Sequence, residues 1–396
     1  MKLFWLAVSI GNWMLALGWT WRVLTALYHL PRVPDLREDR YAAPPQQDRT
    51  PRLTVVVPAR NEAAAVEGTL RSLLAQEMPL DIIAVDDRSE DATGSIMDRV
   101  AAEALPEGKT LRVIHVTELP EGWLGKNHAL ALAARQATTP WMLFTDGDIF
   151  FSPDALPRAL HHAESVRADH FVLLPTPILL TNGERMMMSF IQVAAAAGGR
   201  LWRVSDPAAK SESIGVGAFN MVRREAYDGI GGFEAMRMEV LEDLRFGYLV
   251  KSSGYQQGVA FGPGMVRVHW APGMVGILHN LTKNAFAVFR FQLPLILAAC
   301  FGMMLAFLLP VVGWFGPLEC RVASAMVAIT IFLIYRFHRG FNDFRWWGFL
   351  TFPVAGSLFI YAVLRSTLLT LWRGGVVWRG TFYPLRELRQ QLGRLR

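Results

Sequence analysis

Four long apolar runs constrain this chain more than any other feature of its sequence. They cover residues 3–21, 291–318, 322–335 and 346–364, and none contains a charged residue. About 20 apolar residues cross the hydrocarbon core of a bilayer, so the first, second and fourth runs are long enough to span it. The third run spans only if the arginines at its two ends extend to the interfaces. We therefore expect transmembrane segments at both ends of the chain.

The composition supports a chain that is part membrane and part soluble. Of its 396 residues, 52% are hydrophobic and 19% are charged, whereas a soluble domain carries about 25% charged residues. These values exclude a disordered chain and a small disulfide scaffold. The net charge is +6, and the arginines cluster beside the apolar runs. This placement favours contact with anionic membrane lipids. We therefore expect that the protein does not bind nucleic acid.

The flanking charges predict the orientation of the first segment. A signal peptide is the alternative, but its apolar core would be shorter, and no small-x-small cleavage site precedes Arg22. Arg22, Arg32, Arg37 and Arg40 follow the run, so the positive-inside rule places the middle of the chain in the cytoplasm. We expect an integral protein of the inner or plasma membrane with a cytoplasmic catalytic domain.

The topology of the C-terminal end stays open. Basic residues lie on both sides of the fourth run, in residues 336–345 and 373–396, and both stretches prefer the cytoplasm. A fourth segment that re-enters the membrane, broken near Pro353 and Gly356, would satisfy both. Two crossings, three crossings and re-entry are all compatible with the sequence.

Between the apolar ends, short β-rich runs recur at a regular interval. They begin at Thr54, Asp81, Leu111, Trp141 and His170, and are thus 27, 30, 30 and 29 residues apart. One strand–helix–strand unit takes about 30 residues, so we predict a Rossmann-like α/β domain with a mostly parallel sheet. We expect helices over Asn61–Gln76, capped by Asn61, from Ser89, and after Ser152 with proline in its first position.

Acidic residues follow three of the predicted strands. The first strand ends in Pro58-Ala59-Arg60-Asn61-Glu62, the second in Asp86-Asp87 and the fourth in Asp146-Gly147-Asp148. Ligands of open α/β sheets bind at the carboxyl ends of the strands. Any one of these acids is most simply a solvated loop residue, but five acids on one edge of a basic protein indicate a site.

The spacing of these acids suits a divalent metal and a phosphorylated substrate. Two carboxylates one residue apart, Asp146 and Asp148, suit Mg²⁺ or Mn²⁺, which also takes oxygens from substrate phosphates. Lys126 precedes a predicted helix and could reach the same phosphates. Neither a P-loop nor a G-x-G-x-x-G motif is present. A further pair, Glu242-Asp243, is most often a helix start, but could supply a general base.

Taken in order, these motifs resemble the family 2 glycosyltransferases, which have the GT-A fold. The segments that carry the resemblance are Val55–Glu62, Asp86-Asp87, Gly122–Lys126, Asp146–Asp148, Gly217–Phe233 and Glu242-Asp243. The ordered set is specific, although each segment alone is not. Membrane-anchored members of this kind are similar to ceramide glucosyltransferase and to the hopene-associated and carotenoid-type enzymes.

The resemblance implies a role for each motif. Pro58–Glu62 and Asp86-Asp87 would hold the uridine of the donor, with Lys126 on the nucleotide sugar. Asp146 and Asp148 would hold the ribose and the metal-diphosphate. Asp243, next to Glu242, would deprotonate the acceptor hydroxyl and give inversion.

One departure concerns the Q-x-x-R-W motif of processive synthases. The nearest candidate here is Arg267-Val268-His269-Trp270. His269, Trp270 and Lys283 would then contact phosphate or acceptor, or would simply pack a juxtamembrane helix.

These expectations give the chain five regions and one leading function. The regions are an anchor over residues 1–30, a linker over 31–50, a GT-A domain over 51–285, membrane or re-entrant helices over 286–372, and a basic cytoplasmic tail over 373–396. The predicted enzyme moves a sugar from a nucleotide donor, expected to be a UDP-sugar, to a lipid at the cytoplasmic membrane face. The alternatives are a processive polysaccharide synthase and a membrane nucleotide-sugar-binding or scaffold protein without catalysis.

Overall fold

A computed structural model describes residues 1–44, 48–341, 343–378 and 381–394. The helices are α1 Lys2–His29, α2 Val66–Leu74, α3 Thr93–Ala101, α4 Gly125–Gln136, α5 Ala155–Ser165, α6 Asn182–Gly198, α7 Arg224–Gly229, α8 Glu242–Ser252, α9 Gly273–Val288, α10 Leu293–Gly313, α11 Leu318–His338, α12 Phe352–Arg373 and α13 Leu385–Arg394. The strands are β1 Leu53–Ala59, β2 Leu80–Asp87, β3 Lys109–Val116, β4 Trp141–Phe144, β5 Ile149–Phe151, β6 His170–Leu173, β7 Thr176–Pro177, β8 Asn220–Arg223, β9 Gln257–Ala260, β10 Val266–Val268, β11 Gly375–Trp378 and β12 Thr381–Pro384. Part of the predicted linker, residues 45–47, lies outside the described residues.

The chain divides into two compact units, and each is assembled from separated segments. The sheet unit comprises Val33–Ile178 and Leu201–His269. The helical unit comprises Met1–Arg32, Leu179–Arg200 and Trp270–Arg396. Residues 179–200, in the middle of the predicted GT-A domain, therefore pack with the helical unit.

The sheet unit contains a seven-stranded sheet in the order β3-β2-β1-β4-β8-β6-β9. All neighbours are parallel except β8, which is antiparallel to both β4 and β6. The predicted mostly parallel α/β fold is thus confirmed, with strands at all five predicted positions. Every residue of β1 is buried, and alternate side chains enter different cores, Val55 and Val57 on one face and Val56 on the other. A strand covered on both faces is continuously apolar.

The helices of the sheet unit begin later than the sequence predicted. α2 begins at Val66 rather than Asn61, α3 at Thr93 and α5 at Ala155. Asn61 is not a helix cap: its φ is +56°, and its side-chain oxygen accepts the Glu90 N–H at 2.8 Å. Asparagine tolerates this left-handed conformation better than most residues, so Asn61 instead joins the loops that follow β1 and β2.

The helical unit contains four helices that are long and apolar enough to cross a membrane. Within the described residues these segments are Lys2–Arg32, Leu293–Gly313, Leu318–His338 and Trp347–Arg373. The third apolar run, which was short in the sequence, lies inside α11, a helix of 21 residues. The polar residues at the two ends of α11 therefore extend the helix beyond the apolar run to a length that can span a bilayer.

The fourth apolar run changes helix type beside Pro353. It begins as a 3-10 helix over Trp346–Thr351 and continues as α12, which runs for 22 residues and has Pro353 in its first turn, where proline is well tolerated. A Cβ on Gly356 would lie 2.5 Å from the Phe307 ring and 3.2 Å from the Phe190 ring. α12 therefore continues past Gly356, which admits two aromatic rings, and re-entry of this segment stays a prediction.

A buried polar contact joins α1 to α11. The Asn12 side-chain amide donates to Ser324 Oγ at 3.0 Å, and both residues are almost fully buried. Gly313 makes room for this pair, since a Cβ there would lie 1.9 Å from Asn12 Nδ2.

The predicted basic tail is partly folded. β11 and β12 form an antiparallel hairpin, and α13 follows it. Arg389 of α13 donates to the Phe291 carbonyl oxygen at 2.8 Å.

Candidate active site

The loop after β1 forms one wall of the predicted site. Pro58 and Ala59 are buried at the end of β1, and the Arg60 side chain is 10% exposed and lies 4.0 Å from Glu90. The Glu62 N–H donates to Thr93 Oγ at 2.8 Å. The segment that was predicted to hold the nucleoside therefore links the loop after β1 to the region after β2 by a hydrogen bond.

The two aspartates at the end of β2 have different surroundings. Asp87 is 1% exposed, and its carboxylate accepts the Arg88 Nε–H at 2.8 Å. A Cβ on Gly125, the first residue of α4, would lie 2.3 Å from Asp87. Asp87 thus packs directly against the helix turn that carries Lys126.

Asp86 faces the neighbouring strand instead. Its Oδ1 accepts the Ser89 N–H at 3.2 Å, and its Oδ2 lies 3.2 Å from Nδ1 of His115, its register partner on β3. Nε2 of His115 lies 2.9 Å from Asp98. The two carboxylates raise the pKa of His115, mainly through the hydrogen bond with Asp98. No motif marked this histidine bridge, because its three members come from β2, α3 and β3.

Asp146 and Asp148 lie in the short connection between β4 and β5. Gly147, between them, packs against β1, since a Cβ there would lie 2.9 Å from that of Ala59. Its carbonyl oxygen accepts the Thr69 hydroxyl at 2.9 Å. The Asp-Gly-Asp turn is therefore fixed against the end of the central strand.

Lys126 joins two of the predicted acidic groups. Its Nζ lies 2.5 Å from Asp146 Oδ1 and 2.6 Å from Glu242 Oε1. Its side chain is 14% exposed. Burial disfavours the ammonium, but the three carboxylates Asp146, Glu242 and Asp243 outweigh it and raise the pKa of Lys126. The structure thus brings together residues more than 100 positions apart in the sequence.

Glu242 and Asp243 form the first turn of α8, so the pair is both a helix start and part of the site. The Gly217 N–H donates to Asp243 Oδ2 at 3.0 Å. Asp243 is held from a loop that lies very close to α8: a Cβ on Gly215 would lie 1.8 Å from the Asp243 carbonyl oxygen. Likewise, a Cβ on Gly247 would lie 2.0 Å from the carbonyl oxygen of Ile214.

A buried hydrogen-bond network, not predicted from the sequence, holds this loop. Gln257 is 0% exposed; its Oε1 accepts the Ile214 N–H at 2.9 Å, and its Nε2 donates to His170 Nδ1 at 2.8 Å. His170 in turn contacts Asn220 Oδ1, which also accepts the Val216 N–H. Burial lowers the pKa of His170 to about 4, so the imidazole is neutral. The only sequence signal was the Gly-x-Gly run that precedes β8.

The carboxylates of the site carry more negative charge than its lysine balances. Burial is the main cause that raises the pKa of Asp148 to about 7, and the negative charges of Asp146 and Glu62 raise it further. Burial is also the main cause that raises the pKa of Asp243 to about 7. The charge of Glu242 adds to this effect, and the charge of Lys126 opposes it. A carboxyl group with a pKa near 7 can exchange a proton at neutral pH.

The same charge excess fits a divalent cation near Asp146 and Asp148. Within the residues that the structure describes, no group of three His, Cys, Asp or Glu side chains is arranged to hold a metal ion by itself. An ion here would therefore need further oxygens, and substrate phosphates supply them for Mg²⁺ and Mn²⁺.

The three residues predicted to face the acceptor are divided between the two units. His269 ends the sheet unit, whereas Trp270 and Lys283 belong to the helical unit. The Trp270 carbonyl oxygen accepts the Asn280 side-chain amide at 2.8 Å, within that unit. The side chain of Lys283 lies outside the described part of the structure.

Comparison with known proteins shows which proteins the chain resembles. Residues 54–245 match the family described as Glycosyl transferase family 2. The 4,4'-diaponeurosporenoate glycosyltransferase of Staphylococcus aureus strain MRSA252 is 24% identical over 343 residues, which are 85% of this chain and 89% of that protein. The same enzyme from strain USA300 is 23% identical over the same shares.

A solved structure shares the fold. It is a mannosyltransferase from Pyrobaculum calidifontis in complex with GDP-Man and Mn²⁺, with a TM-score of 0.50 and 21% identity. The match covers 91% of this chain and 99% of that one. The chain therefore contains a glycosyltransferase family 2 domain with the GT-A fold, flanked in its described part by four apolar helices, and it is a glycosyltransferase.

Proposed function

We propose that this glycosyltransferase moves a sugar from a nucleotide-sugar donor to a lipid acceptor at the cytoplasmic face of a membrane, with inversion at the anomeric carbon. The observation that carries the proposal is the group formed by Lys126, Asp146, Glu242 and Asp243. It combines a base with a pKa near 7 and a charged platform for a diphosphate, both at the carboxyl edge of the sheet.

Asp243 is the proposed general base. In its ionised form it takes the proton of the acceptor hydroxyl while the oxygen attacks the anomeric carbon from the face opposite the diphosphate. The bond to the diphosphate breaks as the new glycosidic bond forms, which inverts the configuration. The Gly217 N–H fixes one carboxylate oxygen during this step.

Donor binding is assigned to the other loops of the edge. Pro58–Glu62, Asp86 and Asp87 would hold the nucleoside, which we propose is uridine. Asp146 and Asp148 would hold Mg²⁺ or Mn²⁺, and a bound ion supplies positive charge for the leaving diphosphate. Lys126 holds Asp146 and Glu242 in place and adds a cation beside the same phosphates.

A lipid acceptor explains why the enzyme carries apolar helices. Four segments are long enough to span a bilayer, and nucleotide sugars are cytosolic donors, so the two substrates meet at the cytoplasmic surface. The relatives from S. aureus are named as glycosyltransferases of 4,4'-diaponeurosporenoate.

The first test compares lipid extracts from cells with and without the protein by mass spectrometry. The two extracts should differ by a hexose or an N-acetylhexosamine on one lipid.

The second test measures sugar transfer by the purified full chain. Asp243→Asn should lower turnover by about a hundredfold or more, and Asp148→Ala should abolish it. Asp228→Asn is the matched control, because that carboxylate is 60% exposed in the same unit. Full turnover in both site variants would refute the mechanism.

Two further measurements separate the remaining alternatives. Chelation with EDTA should stop transfer, and Mn²⁺ or Mg²⁺ should restore it; transfer that is indifferent to EDTA would refute the metal. Product length that grows with time would indicate a processive polymerase instead.

A carboxylate acceptor is a second candidate, because the name of the S. aureus substrate denotes a carboxylate. Such an acceptor is already ionised at neutral pH. Its oxygen can therefore attack the anomeric carbon and form a sugar ester without a general base. Asp243→Asn would then retain most of its turnover, and mild alkali would release the sugar from the product.

A further inference from the structure

Only a few large apolar side chains are exposed on the described part of the sheet unit. They are Val166, Leu244 and Tyr248, with 46%, 48% and 44% of their surface exposed. Leu244 and Tyr248 are four residues apart on α8 and therefore lie on the same face of that helix. The opposite face of α8 buries Phe246 and Val250.

This exposed pair lies directly beside the proposed base. Leu244 follows Asp243 in the chain, and its N–H donates to Asp243 Oδ1 at 2.8 Å. The Arg245 guanidinium lies 4.9 Å from the centre of the Tyr248 ring, which stabilises the position of the ring. The solvated face of a surface helix normally carries polar side chains, so an apolar pair at this position calls for an apolar partner.

We infer that Leu244 and Tyr248 bind the apolar chain of the acceptor. The inference rests on the proposed function, in which Asp243 takes a proton from the acceptor hydroxyl. A hydroxyl within hydrogen-bond reach of Asp243 brings the first carbons of the acceptor close to the first two turns of α8. The partner is thus an alcohol whose apolar chain begins near the reacting oxygen, rather than one separated from it by a long polar headgroup.

The experiment compares Leu244→Gln/Tyr248→Ser with the wild type and with Val166→Gln in the full-length, detergent-solubilised protein. Val166 is the matched control, because it is equally exposed in the same unit and lies at the end of α5. The probes are straight-chain primary alcohols from butanol to decanol, used as acceptors and as inhibitors of transfer to an extracted membrane lipid. Inhibition gives a result even where an alcohol is not glycosylated.

For the wild type and the control, apparent affinity should rise by up to about fourfold for each methylene that becomes buried. In the double variant this dependence on chain length should largely disappear, while the KM for the donor stays unchanged. An unchanged dependence on chain length would overturn the inference. An equal loss of affinity for all chain lengths would overturn it as well, because it shows no contact of these two side chains with the apolar chain. Absence of sugar transfer to any lipid by the wild type would instead refute the proposed function.

Discussion

Replacing Lys126 with methionine tests whether this side chain balances the charge of the active site. Its Nζ lies 2.5 Å from Asp146 and 2.6 Å from Glu242. Methionine fills a similar volume but leaves both carboxylates without their cation. The change therefore removes charge and hydrogen bonds with little loss of packing.

The expected cost follows from the burial of the three side chains. Lys126 and Glu242 are 14% and 10% exposed, and Asp146 is 29% exposed. Breaking a buried ion pair by removing one partner costs about 3–5 kcal/mol. Because Asp146 keeps some contact with water, we expect the lower end, about 3 kcal/mol of the free energy of unfolding.

The assay is urea unfolding of the detergent-solubilised protein, followed by tryptophan fluorescence, with sugar transfer measured in parallel. Lys126→Met should unfold at a clearly lower urea concentration and lose transfer. Adding Glu242→Gln should recover part of the stability, because one unpaired charge is removed. Lys109→Met is the control: its Nζ contacts the carbonyl oxygens of Leu74 and Gln76, 2.5 Å away, rather than a carboxylate.

Two results would refute this reasoning. Unchanged unfolding of Lys126→Met would show that the ion pairs contribute nothing to stability. Equal loss of transfer in Lys109→Met would show that the loss is not specific to the ion pairs of Lys126.

Three further predictions concern the base, its supporting loop and the histidine bridge. Because the pKa of Asp243 is raised to about 7, kcat should rise with pH through about 7, and Asp243→Asn should remove this limb of the profile. Gly215→Ala should lower transfer about tenfold or more, since its Cβ would overlap the Asp243 carbonyl oxygen. Gly18→Ala is the control: a Cβ there would have no atom within 4 Å, so transfer should stay unchanged. The raised pKa of His115 stabilises the fold below pH 6.5, its ordinary value, and this gain should vanish as pH rises through the folded-state pKa. The effect should stay below about 1 kcal/mol because the site is partly exposed, and thermal unfolding of His115→Asn should lack this pH dependence.

The strands and the acidic edge were predictable from local patterns alone. Apolar runs at a spacing near 30 residues placed the strands, and the position of Asp146 and Asp148 after β4 followed from that spacing. The helix starts were less predictable, because Asn61 can cap a helix or bond to a distant loop, and only tertiary contacts decide between them.

The supporting contacts could not be predicted, since they join residues that are distant in sequence. Lys126 was expected to contact phosphates, which stays a prediction; its contacts with the carboxylates of the β4–β5 connection and of α8 were not predicted. The Gln257 and His170 side chains hold the Gly217 loop from two other strands. No local pattern marks a buried glutamine or histidine as part of such a network.

The contact between Asn12 and Ser324 has a consequence for the order in which the protein is made. Because α1 is synthesised first and α11 more than 280 residues later, the Asn12 amide has no Ser324 to bond until nearly the whole chain has left the ribosome. During that time all segments of the sheet unit emerge, whereas the helical unit stays incomplete. A chain that stops before α11 should therefore leave α1 poorly packed and exposed to membrane quality control, even if its glycosyltransferase domain has already folded.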